Sequence, residues 1–280
     1  MAVTSNISDF EQELHDGIYT KKILVEGDSW VSHPLPQAYN LAEQIDAFDT
    51  HEYLMLNIAE PGDEARAIFK PHGRQMKRLK RLLNSTQWGD TFDLILLSAA
   101  GNDIVGPEIR DHGYVLNKRD YPGLYGKELM TKHFYSAMSE VVKGYERFLK
   151  MRNRTSLNEQ TPVITHVYSY LIPREIGTHI GPLMFNKGWI KVHLKHQGIS
   201  DSDEQYEIIV EMLDAFYRRM KRIEDNYNNF LVVDTRKVLM KHGMPDLDLW
   251  YDEIHPNGKG FKKVARYIRK AAQDAGLWRL

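Results

Sequence analysis

ILVEGDSWVSHP, residues 23–34, passes from an apolar run straight into Gly27, Asp28 and Ser29. The run reads as a buried strand. Gly, Asp and Ser are ordinary residues of a strand-to-helix turn, with Asp or Ser capping the helix that follows. The same three residues can also hold a serine hydroxyl up at a strand end as a nucleophile. That second use makes a demand on the rest of the chain, which must then supply a base, an orienting acid and oxyanion donors.

Similar apolar runs recur at YLMLNIA (53–59), FDLILLSAA (92–100), PVITHVY (162–168) and NFLVVD (229–234). Between them the apolar residues fall at helical spacing. In DEQYEIIVEMLDAFYRRMKRIEDNY (203–227), Ile209, Leu213, Phe216, Met220 and Ile223 form one stripe. Further helices are predicted over 128–151, with Phe134, Met138, Val141, Tyr145 and Phe148 on one side, and over 258–275, with Phe261, Val264, Ala265 and Ile268. Strand and helix in alternation predict a three-layer α/β/α sandwich of flavodoxin-like character around a mostly parallel five-stranded sheet, with ligands beyond the carboxyl ends of the strands. No linker or repeat divides the chain, so one domain over 1–280 is expected, after an N-terminal extension at 1–20. Residues 103–127 and 169–200 are read as long loops, the kind that form pocket walls or lids.

Composition narrows the function classes. The 280 residues include 42% hydrophobic and 27% charged residues, typical of a globular protein, and 37 Lys plus Arg against 38 Asp plus Glu leave a formal charge of -1. That balance points to no nucleic-acid partner and to no anionic membrane surface. The chain has no cysteine, which removes disulfides, thiol catalysis and Cys-based zinc sites. MAVTSNISDFEQELHDG, at the N-terminus, carries acids where a leader peptide would be basic and then apolar, and no stretch is long enough to span a bilayer. A cytoplasmic location without an integral membrane segment is the expectation. Nothing in the sequence addresses the oligomeric state.

The polar residues at the strand ends are those Ser29 would need. LNIAEPGD (56–63) places Gly62 where a backbone N–H can be presented with no side chain in the way. LLSAAGND (96–103) puts Asn102 directly beyond an apolar strand. DEIHPNGKG (252–260) sets Asp252 and His255 three apart before the last helix. Each has an ordinary explanation as a turn or cap residue, but their joint occurrence in this order is hard to assign to chance. Imidazole is the side chain suited to take a serine proton near neutral pH, and a carboxylate beside it holds one tautomer and stabilises the cation.

With these four blocks the chain resembles the SGNH hydrolases, the GDSL-type esterases and lipases, over residues 23 to about 268. The resemblance implies a serine esterase acting on a small-molecule ester, most readily a short-chain acyl or acetyl ester, through an acyl-serine intermediate. It implies Ser29, Asp252 and His255 as the triad and Ser29, Gly62 and Asn102 as the oxyanion hole, with no metal and no cofactor. Two departures stand out. The first block reads G-D-S-W rather than G-D-S-L, and the third reads A-G-N-D where many members have G-G-N-D, so Ala100 occupies a turn glycine's place. An α/β-hydrolase elbow would need G-x-S-x-G, and its last position is Val31 here. Two other activities are compatible with the four blocks: acyl transfer by the same triad, and non-catalytic binding on the same fold.

The apolar residues of THVYSYLIPREIGTHIGPLMFNKGWI (165–190) are expected to wall the substrate pocket, in particular Tyr168, Tyr170, Met184 and, from the first block, Trp30, with Leu171, Phe185 and Trp189 alongside. The alternative for these side chains is a small core beneath a long loop. His193 and His196 stand at H-x-x-H spacing without an accompanying carboxylate pattern and read as structural or solvated. GRQMKRLKR (73–81) reads as the polar side of a surface helix. Asp28 and Asp103 are expected to hold their own turns through local hydrogen bonds.

Overall fold

The computed structural model describes residues 3–16, 19–33, 40–47, 53–87, 92–180, 183–184 and 186–278, without the side chains of 179–180 and 183–184. In chain order the elements begin with β1 (Val3–Thr4), α1 (Ile7–His15), β2 (Lys21–Gly27), α2 (Leu41–Asp46), β3 (Tyr53–Asn57), α3 (Ala65–Ile68) and α4 (Arg74–Leu83). Then follow β4 (Leu94–Ser98), α5 (Gly101–Ile104), α6 (Glu108–Asp111), α7 (Lys132–Arg152), β5 (Val163–Val167), β6 (His179–Ile180), β7 (Leu183–Met184) and α8 (Lys191–His196). The chain closes with α9 (Ser202–Glu224), β8 (Phe230–Asp234), β9 (Met240–Lys241), β10 (Met244–Pro245) and α10 (Gly258–Asp274).

The five predicted strands are β2, β3, β4, β5 and β8, and each is buried along most of its length. Among the described residues the sheet nevertheless has six strands, in the order β1-β3-β2-β4-β5-β8, and every pairing between them is parallel. The sixth is β1, which lies in the stretch read as an extension and pairs Val3 with Met55 and Thr4 with Leu56. Two residues are too few to display a strand period, so nothing in the local pattern marks them. The long helices fall close to their predicted spans. α7 starts at Lys132 rather than 128 because Thr131 caps it, accepting from the His133 N–H.

The strand order explains where a site forms. From β2 the chain moves to one side to make β3, then returns past β2 to lay down β4, β5 and β8 on the other side. Right-handed crossovers therefore put the connection through α2 on one face of the sheet and those through α7 and α9 on the opposite face. α10, after the last sheet strand, packs against α2, while α7 packs against α9 and α3. Adjacent crossovers diverge between β2 and β4, and the crevice there lies beyond their carboxyl ends, where Ser29 and Asn102 follow.

The stretches read as loops contain short structure: α5, α6 and a 3-10 turn at Gly126–Leu129 in 103–127, and β6, β7 and α8 in 169–200. α4 buries Leu79, Leu82 and Leu83 beneath its basic residues, as expected of a surface helix. Among the described residues no helix is long and apolar enough to cross a membrane.

Candidate active site

Strand β2 ends against its neighbour. A Cβ on Gly27 would lie 2.0 Å from the Ser98 carbonyl oxygen of β4, so only glycine allows this approach, and the Asp28 N–H then donates to that same oxygen at 2.8 Å. The chain turns sharply at this point and leaves Ser29 half-buried at the strand end. Asp28 is fully buried beneath it and accepts from the Trp30 N–H at 3.0 Å and from the Tyr168 hydroxyl. Burial pushes the Asp28 carboxyl up to about 6, against the pull of those hydrogen bonds.

Ser29 Oγ lies 2.7 Å from Nε2 of His255. Nδ1 of the same ring lies 2.8 and 3.0 Å from the two carboxylate oxygens of Asp252. One of these oxygens also accepts the Ile254 and His255 N–H groups, at 2.9 and 2.7 Å, so the Asp-x-x-His turn closes on its own carboxylate. Asp252 has no exposed surface. Two residues that follow give the block its anchorage. An antiparallel bridge joins Pro256 to Trp250, and Asn257 caps α10 by accepting from Lys259 and Gly260.

Trp30 links the first block to the last. It is buried, its indole N–H donates to the Ile254 carbonyl at 3.1 Å, and its ring packs edge-on against Tyr168 and Phe261 and stacks on His166. A leucine in this place would supply the packing without the hydrogen bond to the turn that carries His255. Burial lowers His166 to about 4, which keeps it neutral beside Ser98.

The second and third blocks are also joined. Gly62 sits at φ +87°, a left-handed conformation that favours glycine. The Asn102 side chain donates to the neighbouring Asp63 carbonyl at 2.9 Å through Nδ2, which has a second hydrogen to offer. Neither the Ser29 nor the Gly62 N–H donates to another group among the described residues. Asp103 behaves differently from the local role expected of it. Its carboxylate reaches across to the N–H groups of Ala65 and Arg66 at the start of α3 and to the Arg66 guanidinium at 2.7 Å, tying the turn after β4 to the chain just beyond Gly62.

Sequence reasoning missed two side chains around His255. His33 meets the His255 ring edge-on at 4.6 Å. Burial, then the neighbouring His255 charge, lower His33 to about 4, so it adds no second cation beside His255. Glu253, inside the Asp-x-x-His turn and almost wholly buried, accepts four backbone N–H groups, from Arg174, Trp189, Ile190 and Lys191. Burial raises this carboxyl above its ordinary value while the four donors hold it down. The Arg174 guanidinium donates to the Asp252 carbonyl at 2.6 Å, and the Trp189 ring stands edge-on to His255 at 5.5 Å. The carboxylate type at position 253 was the available signal. Its partners lie in a stretch whose path is not evident from sequence.

A narrow cavity of about 30 Å³ adjoins Ser29 and Asn102. Trp30 and Tyr168 line it as expected, together with Leu171. Tyr170 is a correction: it does not line the cavity, and its hydroxyl donates instead to Asp214 of α9, beside Arg236. The Met184 side chain and Phe185 lie outside the described residues. Ile209 and Leu213 of α9, read only as core residues from their spacing, face the same cavity.

Among the described residues one trio of metal-ligand type is gathered, His33, Asp252 and His255, with donor atoms within 4.8 Å of one another. Two of its members are already paired with each other, and the His193–His196 pair belongs to no such group.

No family model matches the chain, and no curated protein matches its sequence. Solved structures do match. A carbohydrate acetylesterase family member from Sinorhizobium meliloti is 14% identical with a TM-score of 0.52, over 91% of this chain and 98% of that one. A catalytic mutant of an acetylxylan esterase from Geobacillus stearothermophilus is 15% identical with a TM-score of 0.50, over 90% and 94% of the two chains. At these identities the likeness is one of fold, a mostly parallel sheet flanked by helices.

Proposed function

We propose that the protein is a serine esterase that hydrolyses carboxylic esters of short acyl groups, acetyl included, with Ser29 as nucleophile. The observation that carries this reading is the continuous chain of contacts from Ser29 Oγ to His255 Nε2 at 2.7 Å and from His255 Nδ1 to the buried Asp252 at 2.8 Å. A structural histidine has no need of a half-exposed serine on one nitrogen and a carboxylate on the other. A general base needs both.

In the proposed reaction His255 takes the Ser29 proton as Oγ bonds to the ester carbonyl carbon, and Asp252 stabilises the imidazolium. The carbonyl oxygen becomes an oxyanion. The Ser29 and Gly62 N–H groups and the Asn102 amide would meet it, each such donor contributing roughly 3–4 kcal/mol to the transition state. Collapse breaks the bond to the alcohol, which leaves with the proton from His255. Water then repeats the sequence on the acyl-serine and regenerates Ser29. Neutral His33 leaves the passing positive charge on His255 unopposed.

Labelling with a fluorophosphonate, together with hydrolysis of p-nitrophenyl acetate, tests the reading. The wild-type chain is expected to label at Ser29 and to turn over the ester, and Ser29→Ala to lose both while keeping its melting temperature within a few degrees. Full activity in Ser29→Ala would remove this serine from the mechanism.

A further inference from the structure

We propose that the cavity beside Ser29 is a pocket for a short aliphatic acyl chain longer than acetyl, and that Leu213 of α9 sets the length it accepts; this rests on the esterase reading above. The cavity is lined both by the half-exposed Ser29 and by buried core residues of α9. Its polar lining is confined to the nucleophile turn, Asn102 and the Tyr168 hydroxyl, and the remaining wall is largely Ile104, Val105, Leu171, Ile209, Leu213 and Ile254.

The chemistry of that wall selects its occupant. Asp28, the one charged group there, is already engaged by the Tyr168 hydroxyl and the Trp30 N–H. A sugar placed in this cavity would bring hydroxyls to aliphatic side chains and leave them unpartnered, which is costly. A hydrocarbon chain loses nothing of the kind. Acetyl alone would be too short to cover the aliphatic wall, whereas each further methylene buried is expected to raise kcat/KM about fourfold.

α9 supplies the limit. Ile209 and Leu213 are four residues apart on one helix face and are 1% and 3% exposed. The helix behind them packs on α7, β5 and β8, so these side chains cannot withdraw to admit a longer chain. A chain leaving Ser29 meets them as fixed core.

The test is kcat/KM for p-nitrophenyl acetate, butyrate, hexanoate, octanoate and decanoate with the wild-type chain, Leu213→Ala and Leu213→Phe, using Ser29→Ala as the blank. The wild-type rate should climb from acetate to butyrate or hexanoate by about fourfold per methylene, then fall by decanoate. Leu213→Ala should move the maximum at least two carbons longer, and Leu213→Phe should move it toward acetate. Should either variant fail to fold, the wild-type profile stands by itself, joined by the rates at which alkylphosphonates of rising chain length label Ser29. A wild-type profile that is flat or highest at acetate, or Leu213 variants that scale every ester alike, would overturn the pocket and leave the esterase reading standing. Absence of Ser29-dependent hydrolysis across the panel, with no phosphonate labelling, would overturn both.

Discussion

Ala100 shows how one residue carries the geometry of a turn. It sits at φ +113°, ψ −11°, fully buried, immediately before Gly101 and Asn102. L-residues avoid this region at a cost of roughly 1–3 kcal/mol, and glycine does not. The sequence resemblance implied a glycine at this place, so the departure noted there is a departure toward strain. Elsewhere in a core, trimming a buried alanine to glycine removes a methyl and loosens the unfolded chain, and in a helix such as α10 Ala265→Gly should cost about 2 kcal/mol. Ala100→Gly should cost nothing or raise the melting temperature, because relief of strain offsets both losses. Thermal melts of the two variants side by side make the comparison, and an equal drop in both would mean that position 100 stores no strain.

Between the sheet and the site stand connections rather than regular elements, and Glu253 governs one of them. Its carboxylate gathers N–H groups from Arg174 and from Trp189, Ile190 and Lys191 at the start of α8, fastening the 174–191 stretch to the turn that carries Asp252 and His255. Helix-start N–H groups have no intrahelical partner, so the carboxylate satisfies donors that would otherwise be buried and unpaired. Gly188, at φ +103°, permits the approach, since a Cβ there would lie 2.5 Å from the carboxylate. Glu253→Gln keeps the shape but turns an NH2 toward donors. Losing hydrogen bonds to a charged group costs about 1.5–3 kcal/mol, so amide exchange at 189–191 should quicken by one to two orders of magnitude. Unchanged exchange at these three amides would show that other contacts hold the stretch. Trp189 stands against His255, so a fall in ester turnover should accompany the faster exchange.

Stability of the entire fold should register one buried group in β2. Glu26 is completely buried, accepts the Gly27 N–H, and has no partner for Oε2 among the described residues; burial pushes it up to about 8. A carboxyl raised in the folded chain holds its proton there while the unfolded chain releases it near the ordinary value. The folded state therefore binds more protons between about pH 4.5 and 8, and its stability falls as pH rises through that window. By pH 8 the loss is on the order of 3–5 kcal/mol. Glu26→Gln, which cannot ionise, should match the wild type near pH 5 and exceed it by several degrees in melting temperature at pH 8. Parallel pH profiles for the two proteins would show that Glu26 is not protonated in the folded state.

Much of this fold and site could be read from neighbouring residues. Five sheet strands, three long helices and the residues Ser29, Gly62, Asn102, Asp252 and His255 were legible because an apolar run, a 3.6-residue period and a glycine at a turn are local properties. The expected spans of the strands and long helices hold to within a few residues. What escaped depends on partners far apart in the chain. β1 became a strand because an edge of β3 was available, and Asp103 reached Arg66 because β2, β3 and β4 ended side by side. Tyr170 met Asp214 of α9 while Leu171 lined the cavity, a choice made by the position of α9 and not by any local period. Glu253 found its four donors only after the 174–191 stretch had folded back over the last block. Local pattern says which face of an element is apolar. Which element that face meets is settled by strand order and crossover hand, and so the residues of the candidate site could be named from sequence while the pocket around them could not.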